Sequence, residues 1–257
     1  MAPKVRMHMF STGQMTSAMG GFLEGETGEL TYPVPVFLIE HPNGLVAVDA
    51  GLHPALATSN ARLGPLDGPF QAHLAADGSS TVGAQFRRAG FDPALVDTVI
   101  VTHLHFDHVG GLVELPNAQV LVQAREWATR NDERMVNSGA YNPADTDHGH
   151  EVSQVDGDYD VFGDGTVVCL LTDGHTAGHQ SVRVHTEAGI FVICGDCCYL
   201  RRTLIDEHLP PFGVDRTRQL AAVRRMADEQ RAGATLIFGH DPDQWETIAT
   251  HGLSNQL

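Results

Sequence analysis

Apolar residues in this chain gather into short runs rich in β-branched side chains: Val34 to Ile39, Leu45 to Val48, Thr98 to Val101, Gln119 to Val122, Val167 to Leu171, Ser181 to Val184, Ile190 to Ile193 and Thr235 to Phe238. Runs of this length and composition predict strands, most of them buried. Two other stretches carry a helical repeat, and Thr81 to Ala89 is the first. In the second, Asp215 to Arg231, the apolar Leu220, Val223, Met226 and Ala227 recur at helical spacing, while Arg216, Arg218, Arg224 and Arg225 fall mostly elsewhere on the turn. That pattern predicts an amphipathic surface helix whose arginines face solvent. Strands come in clusters as well as in alternation with helices, so the predicted architecture is layered α/β with mixed sheets. The stretches Ser11 to Pro33, Ala50 to Ser80 and Asn131 to Gln154 lack a period and exceed ordinary connection lengths, which predicts long loops that serve as lids or site walls or else are disordered. No repeat, low-complexity tract or linker interrupts the 257 residues, and a single domain over 1–257 is expected.

Charge narrows the partners. Lys and Arg number 16 against 32 Asp and Glu, a formal net charge of −16, and no basic run offsets it. A surface of that sign repels phosphate backbones and anionic lipid, so neither nucleic acid nor a membrane is an expected partner. No segment approaches the ~20 apolar residues of a membrane span. Met1 to Phe10 lacks the pattern of a signal peptide, and the expected location is cytoplasmic. Cys194, Cys197 and Cys198 crowd together, with Cys169 on an earlier apolar run. Their spacing suits neither a disulfide framework nor a zinc finger, so reduced, buried thiols are expected. The composition is unusual in one respect: it holds 15 His, and neutral imidazole is the commonest metal ligand.

Those histidines collect where apolar runs end. Residues 99–111 read V-I-V-T-H-L-H-F-D-H-V-G-G, a strand running into His103, His105, Asp107 and His108. Side chains two apart on an extended segment project to one side, so His103 and His105 can converge on one ion. If the chain then turns, Asp107 and His108 can face a second, with Gly110 and Gly111 allowing the turn. Three more strand ends carry ligand types: L-L-T-D-G-H-T-A-G-H-Q with His175 and His179, I-C-G-D-C-C-Y with Asp196, and I-F-G-H-D with His240. Strand ends at one sheet edge are where α/β proteins gather their sites. His148 and His150, in the D-H-G-H-E of a long stretch, are expected to face solvent.

The order H-x-H-x-D-H, G-H-x-x-G-H, G-D, G-H resembles the metallo-β-lactamase superfamily. A finer likeness to its N-acyl homoserine lactonases rests on H-L-H-F-D-H-V-G-G at 103–111, G-H-T-A-G-H-Q-S at 174–181, G-D-C-C-Y at 195–199 and F-G-H-D at 238–241. V-D-A-G at 48–51 and E-V-S-Q-V-D-G-D-Y-D-V at 151–161 add to it. The resemblance implies a four-layer αββα sandwich with a dinuclear site at one edge. Carried over by position, it implies His103, His105 and His179 on one metal, Asp107, His108 and His240 on the other, and Asp196 between them. His175 would support the ligands from behind, Asp49 would orient a ligand histidine, and Tyr199 would face the substrate. Two divalent ions are implied, zinc first, with iron, manganese or cobalt also acceptable to the oxygen ligands.

The implied reaction is attack of a metal-bridging hydroxide on a lactone carbonyl, with Tyr199 stabilising the oxyanion and Asp107 carrying a proton to the leaving alkoxide. No G-x-S-x-G motif proposes a serine nucleophile. Met15, Met19, Phe22 and Leu23 are expected to offer an apolar wall for an acyl chain, joined by Phe106. The alternatives are another lactonase, an aryl esterase or a phosphotriesterase of the same fold, or, in a different class, a protein that binds metal or ligand without turnover. Asp107 and Tyr199 argue against the last, since a mere binder needs neither. The resemblance leaves room for a homodimer.

Overall fold

The computed structural model describes residues 4–251. Strands β1 (Arg6–Ala18), β2 (Glu29–His41), β3 (Gly44–Val48), β4 (Phe70–His73), β5 (Thr98–Ile100), β6 (Gln119–Gln123) and β7 (Val152–Val155) form one sheet in the order β4-β1-β2-β3-β5-β6-β7. A second sheet contains β8 (Tyr159–Asp160), β9 (Val167–Leu171), β10 (Gln180–Thr186), β11 (Gly189–Ile193) and β12 (Thr235–Ile237), in the order β12-β11-β10-β9-β8. Both sheets are mixed: β3, β5, β6 and β7 run parallel, β1 and β2 pair antiparallel, and β12 is the parallel member of the second sheet. The helices are α1 (Val82–Arg88), α2 (Phe106–Val109), α3 (Ala124–Trp127), α4 (Glu133–Ser138), α5 (Arg201–Ile205), α6 (Arg216–Arg231) and α7 (Pro242–His251).

Alternation along the strands sorts the layers. Phe37 and Ile39 of β2 face a core shared with Val48 of β3 and with Val167, Val182 and Ile193 of the other sheet. Val36 and Leu38 face the opposite way and pack with Val82 and Phe86 of α1. On the far side, Val168, Leu170, Val192 and Leu236 meet Ala222 and Met226 of α6. Helix, sheet, sheet, helix is therefore the stacking order. Each of those two helices opens on a side-chain cap: Thr81 accepts from Ala84 N and Asp215 from Arg218 N. The arginines of α6 do not simply face water, because Arg225 pairs with Asp158 and Arg224 with Glu207. Exposed pairs of this kind contribute about 0–1 kcal/mol each.

The expected loops are shorter than the sequence suggests. Within Ser11 to Pro33, β1 continues to Ala18 and β2 begins at Glu29, with Met15 opposite Tyr32. Interleaved Thr, Ser, Gln and Gly residues, together with a register shift between Ser11 and Gln14, hide this hairpin from an apolar pattern. Ala50 to Ser80 folds into short 3-10 turns and the edge strand β4, while Asn131 to Gln154 contains α4 and most of β7. All four cysteines are buried free thiols. Among the described residues, no helix is long and apolar enough to cross a membrane.

Candidate dinuclear metal centre

The site lies where strands of both sheets end. After β5 the chain passes Thr102 to His105 and enters the single turn of α2, which carries Asp107 and His108. The paired glycines that follow are required for close approach rather than for an unusual backbone angle: a Cβ on Gly111 would stand 2.1 Å from the Ala50 carbonyl oxygen. His175 and Asp196 come from loops of the second sheet, after β9 and β11, and His240 follows β12.

Two donor groups result, one of His103, His105, His175 and Asp196 and one of Asp107, His108 and His240. In the first, His103 Nε2 lies 2.9 Å from His105 Nδ1, and His175 Nε2 lies 3.2 Å from the same atom. Asp196 Oδ2 is 3.4 Å from both His103 Nε2 and His175 Nε2. In the second, Asp196 Oδ1 is 3.3 Å from His108 Nε2 and 3.2 Å from His240 Nε2, and Asp107 Oδ2 stands 3.7 Å from His240 Nε2. Asp196 thus turns one oxygen to each group. Four ligands about 2.1 Å from a tetrahedral ion lie about 3.4 Å from one another, and the separations here run from 2.9 Å to 3.7 Å.

The outer partners fix which nitrogens carry lone pairs inward. His108 Nδ1 donates to Asp49 Oδ2 at 2.8 Å, and His240 Nδ1 donates to the Pro33 carbonyl at 2.8 Å. Thr102 Oγ1 donates to Asp49 Oδ2 at 2.8 Å, so it accepts from His103 Nδ1 at 3.1 Å. With Nδ1 so engaged, each of these histidines has Nε2 left for an ion, as a lone pair once that nitrogen carries no proton. Asp49 performs this from a left-handed backbone, φ 57°, a conformation aspartate adopts more readily than most side chains. His108 Nε2 and Asp196 Oδ1 are buried and have no hydrogen-bond partner, as expected of atoms meant for an ion. The residues present fit two divalent cations.

Protonation differs between the groups. Burial first, then neighbouring histidines, holds His103 and His105 well below the ordinary histidine range. Burial would also lower His108, but Asp196, Asp49 and Asp107 outweigh it and hold the imidazole well above that range. Burial likewise opposes ionisation of Asp196, and attraction to His108, His240 and His103 overrides it, holding this carboxyl well below the usual range.

The geometry differs from the resemblance at one position. His179, expected as a ligand, has both nitrogens engaged: Nε2 accepts from Asp196 N at 2.9 Å and Nδ1 bonds Thr172 Oγ1 at 2.9 Å. Burial, then His175, pushes its pKa down to about 3. His175, expected behind the ligands, instead stands among the donors. The donor atoms thus gathered include His175 and not His179.

Above the groups opens a cavity of ≈ 380 Å³. Phe22 and Phe106 line it as expected, beside Tyr199, whose ring stands 5.5 Å from His175 and 5.7 Å from His240. Met15, Met19 and Leu23 do not line it. Met15 and Leu23 are buried in the hydrophobic cluster behind Phe22, and Met19 packs against that cluster, because the strand that carries Met15 turns it inward against Tyr32. The wall comes instead from Tyr32, Leu66, Phe70, Met135, Phe212 and Val214. Tyr32 stands two residues ahead of the apolar run at 34–39, within reach of the same strand; the others sit in non-periodic stretches with no local signal. His148 and His150 are half-buried rather than solvated, and His150 Nε2 donates to the Leu115 carbonyl at 3.0 Å.

Residues 31–240 match the family described as the metallo-beta-lactamase superfamily. The chain belongs to this superfamily. Among its relatives, an N-acyl homoserine lactonase AttM of Azorhizobium caulinodans is 32% identical over 256 residues, covering 95% of this chain and 96% of that protein. The N-acyl homoserine lactonase AiiA of Bacillus thuringiensis subsp. kurstaki is 30% identical, covering 84% of each. A solved N-acyl homoserine lactone hydrolase with N-hexanoyl-L-homoserine at its catalytic metal centre superposes with a TM-score of 0.85 at 24% identity, covering 96% of this chain and 97% of that one. This metallo-beta-lactamase fold is the four-layer arrangement described above.

Proposed function

We propose that this protein is a metal-dependent hydrolase that opens the ring of N-acyl homoserine lactones, the activity its curated relatives are named for. The observation that carries the reading is Asp196, shared between two histidine-rich donor groups at the floor of an apolar cavity. His103, His105 and His175 would hold one ion and Asp107, His108 and His240 the other. Zinc suits the nitrogen-rich set, and the carboxylates also accept iron, manganese or cobalt. Such a pair of ions, when bound, supplies Lewis acidity toward a carbonyl and makes water acidic enough to react near neutral pH.

The chain's own residues do the rest. Burial, then the charges of Asp196 and Asp107, holds the Tyr199 hydroxyl well above its ordinary pKa, so it stays protonated and donates to the oxygen that gains charge as the ring carbonyl is attacked. Asp107 faces the same cavity, takes the proton of the attacking water and delivers it to the ring oxygen as that bond breaks. The product is a hydroxy acid. Phe22, Phe70 and Phe106 give an apolar surface to the acyl chain, and a neutral substrate meets no penalty from a net charge of −16.

The test is a substrate panel on metal-quantified protein: lactones of several chain lengths beside aryl esters and phosphotriesters. Rapid opening of acyl homoserine lactones supports the reading. Two bound ions with fast ester or phosphotriester cleavage and no lactone opening would overturn it.

A further inference from the structure

Glu126, on α3, is fully buried, and it reaches the two loops that supply the histidines of the first donor group. Its Oε1 accepts from Leu104 N at 3.0 Å and from the Tyr141 hydroxyl at 2.6 Å. Its Oε2 accepts from Gly178 N at 2.7 Å. Leu104 lies between His103 and His105 on the segment that leaves the first sheet. Gly178 lies between His175 and His179 on the segment that enters the second. One carboxylate therefore ties together two loops from different sheets. The third hydrogen-bond donor, the Tyr141 hydroxyl, also comes from beside this group, the Tyr141 ring lying 5.6 Å from the His105 ring.

A second observation points the same way. A Cβ on Gly178 would stand 2.6 Å from Glu126 N and 2.8 Å from Glu126 Cβ, so this approach of loop to helix is open only to glycine. Burying a carboxylate is costly, and here it is compensated by hydrogen bonds that all come from segments around one donor group. The other group is held differently, His108 by Asp49 and His240 by the Pro33 carbonyl, and neither contact involves Glu126.

We infer that Glu126 is a positioning residue that sets the separation of His103 and His105 from His175 and so the affinity for the ion they hold. The inference rests on reading that group as an ion site. Replacing the carboxylate by an amide breaks the arrangement: in Glu126→Gln the new NH2 must face the N–H of either Leu104 or Gly178, two donors with no acceptor between them.

The experiment uses the full chain, stripped with a chelator and titrated with Co2+ followed by its absorption spectrum, with Zn2+ competition as a check. For Glu126→Gln the affinity for one of the two ions should fall about 10- to 100-fold, the usual cost of removing an outer partner, while the other stays within about twofold of wild type. Gly178→Ala should produce the same one-sided loss, and Tyr141→Phe, which leaves both loop contacts intact, a smaller one. Equal weakening of both ions would mark a merely structural residue and overturn the inference, as would unchanged binding in Glu126→Gln and Gly178→Ala. If Glu126→Gln fails to fold, Tyr141→Phe decides by the same asymmetry. A wild-type chain that binds two ions but opens no lactone would end the functional proposal and leave this inference standing.

Discussion

The two halves of the metal centre use similar side chains in different electrostatic settings. His103, His105 and His175 crowd one oxygen of Asp196, and burial dominates the first two, keeping their rings neutral. Around the other oxygen, His108 and His240 stand beside Asp107, and Asp49 adds a further carboxylate behind His108. Negative charge there overcomes burial and raises both rings. One half is thus ready for a cation, and the other holds protons that a cation must displace.

The largest expected effect comes from removing what the halves share. Asp196→Ala should lose both ions and all lactone opening, as measured by elemental analysis and by assay on one sample; retention of one ion at wild-type affinity would refute the shared role. Next comes the contrast within the first half. His175→Ala should lose one ion outright. His179→Ala, which removes the acceptor of Asp196 N and the partner of Thr172 Oγ1, should keep both ions with affinity reduced about 10- to 100-fold. The reverse ranking would restore His179 as ligand.

Proton linkage gives a smaller signal. In the ion-free chain His108 and His240 are raised and therefore protonated below their shifted pKa values, whereas His103 and His105 are lowered and carry no proton near neutrality. Ion binding at the second half should release protons, about one per raised imidazole, and its affinity should increase with pH until those values are passed. At the first half His103 and His105 should add no such release across neutrality. Titration calorimetry in buffers of differing ionisation enthalpy measures this, and identical release from both ions would remove the distinction. The smallest effect belongs to Tyr199→Phe, with ion content kept and the rate lowered about five- to tenfold, the scale of one hydrogen bond. An unchanged rate on several lactones would exclude its role as donor.

Much of this was visible before folding. The eight apolar runs fall within strands β2, β3, β5, β6, β9, β10, β11 and β12, and both helical repeats correspond to α1 and α6. What escaped was the long β1 and the edge strands β4, β7 and β8, where polar residues interrupt the alternation and pairing partners, rather than local preference, keep the chain extended. The residues of H-L-H-F-D-H were legible as a metal motif because extended side chains two apart share a side and the following turn brings the next pair round. The wall residues Phe70, Met135 and Phe212 were not, since each is brought to the cavity by a segment with no period of its own.

His175 and His179 mark the boundary most clearly. Both follow a glycine, in G-H-T-A-G-H, and nothing local separates them. The sequence by itself determined which donor types exist, that they sit at strand ends, and the period of the elements leading to them, because these are properties of neighbouring residues. Packing of the two sheets selects which ring joins the donor atoms. His179 directly precedes β10, where Thr172 and Asp196 N engage its two nitrogens, while His175, farther out on the loop, turns Nε2 toward His105. A lone pair points where distant partners leave it free, and those partners meet only when the two sheets pack.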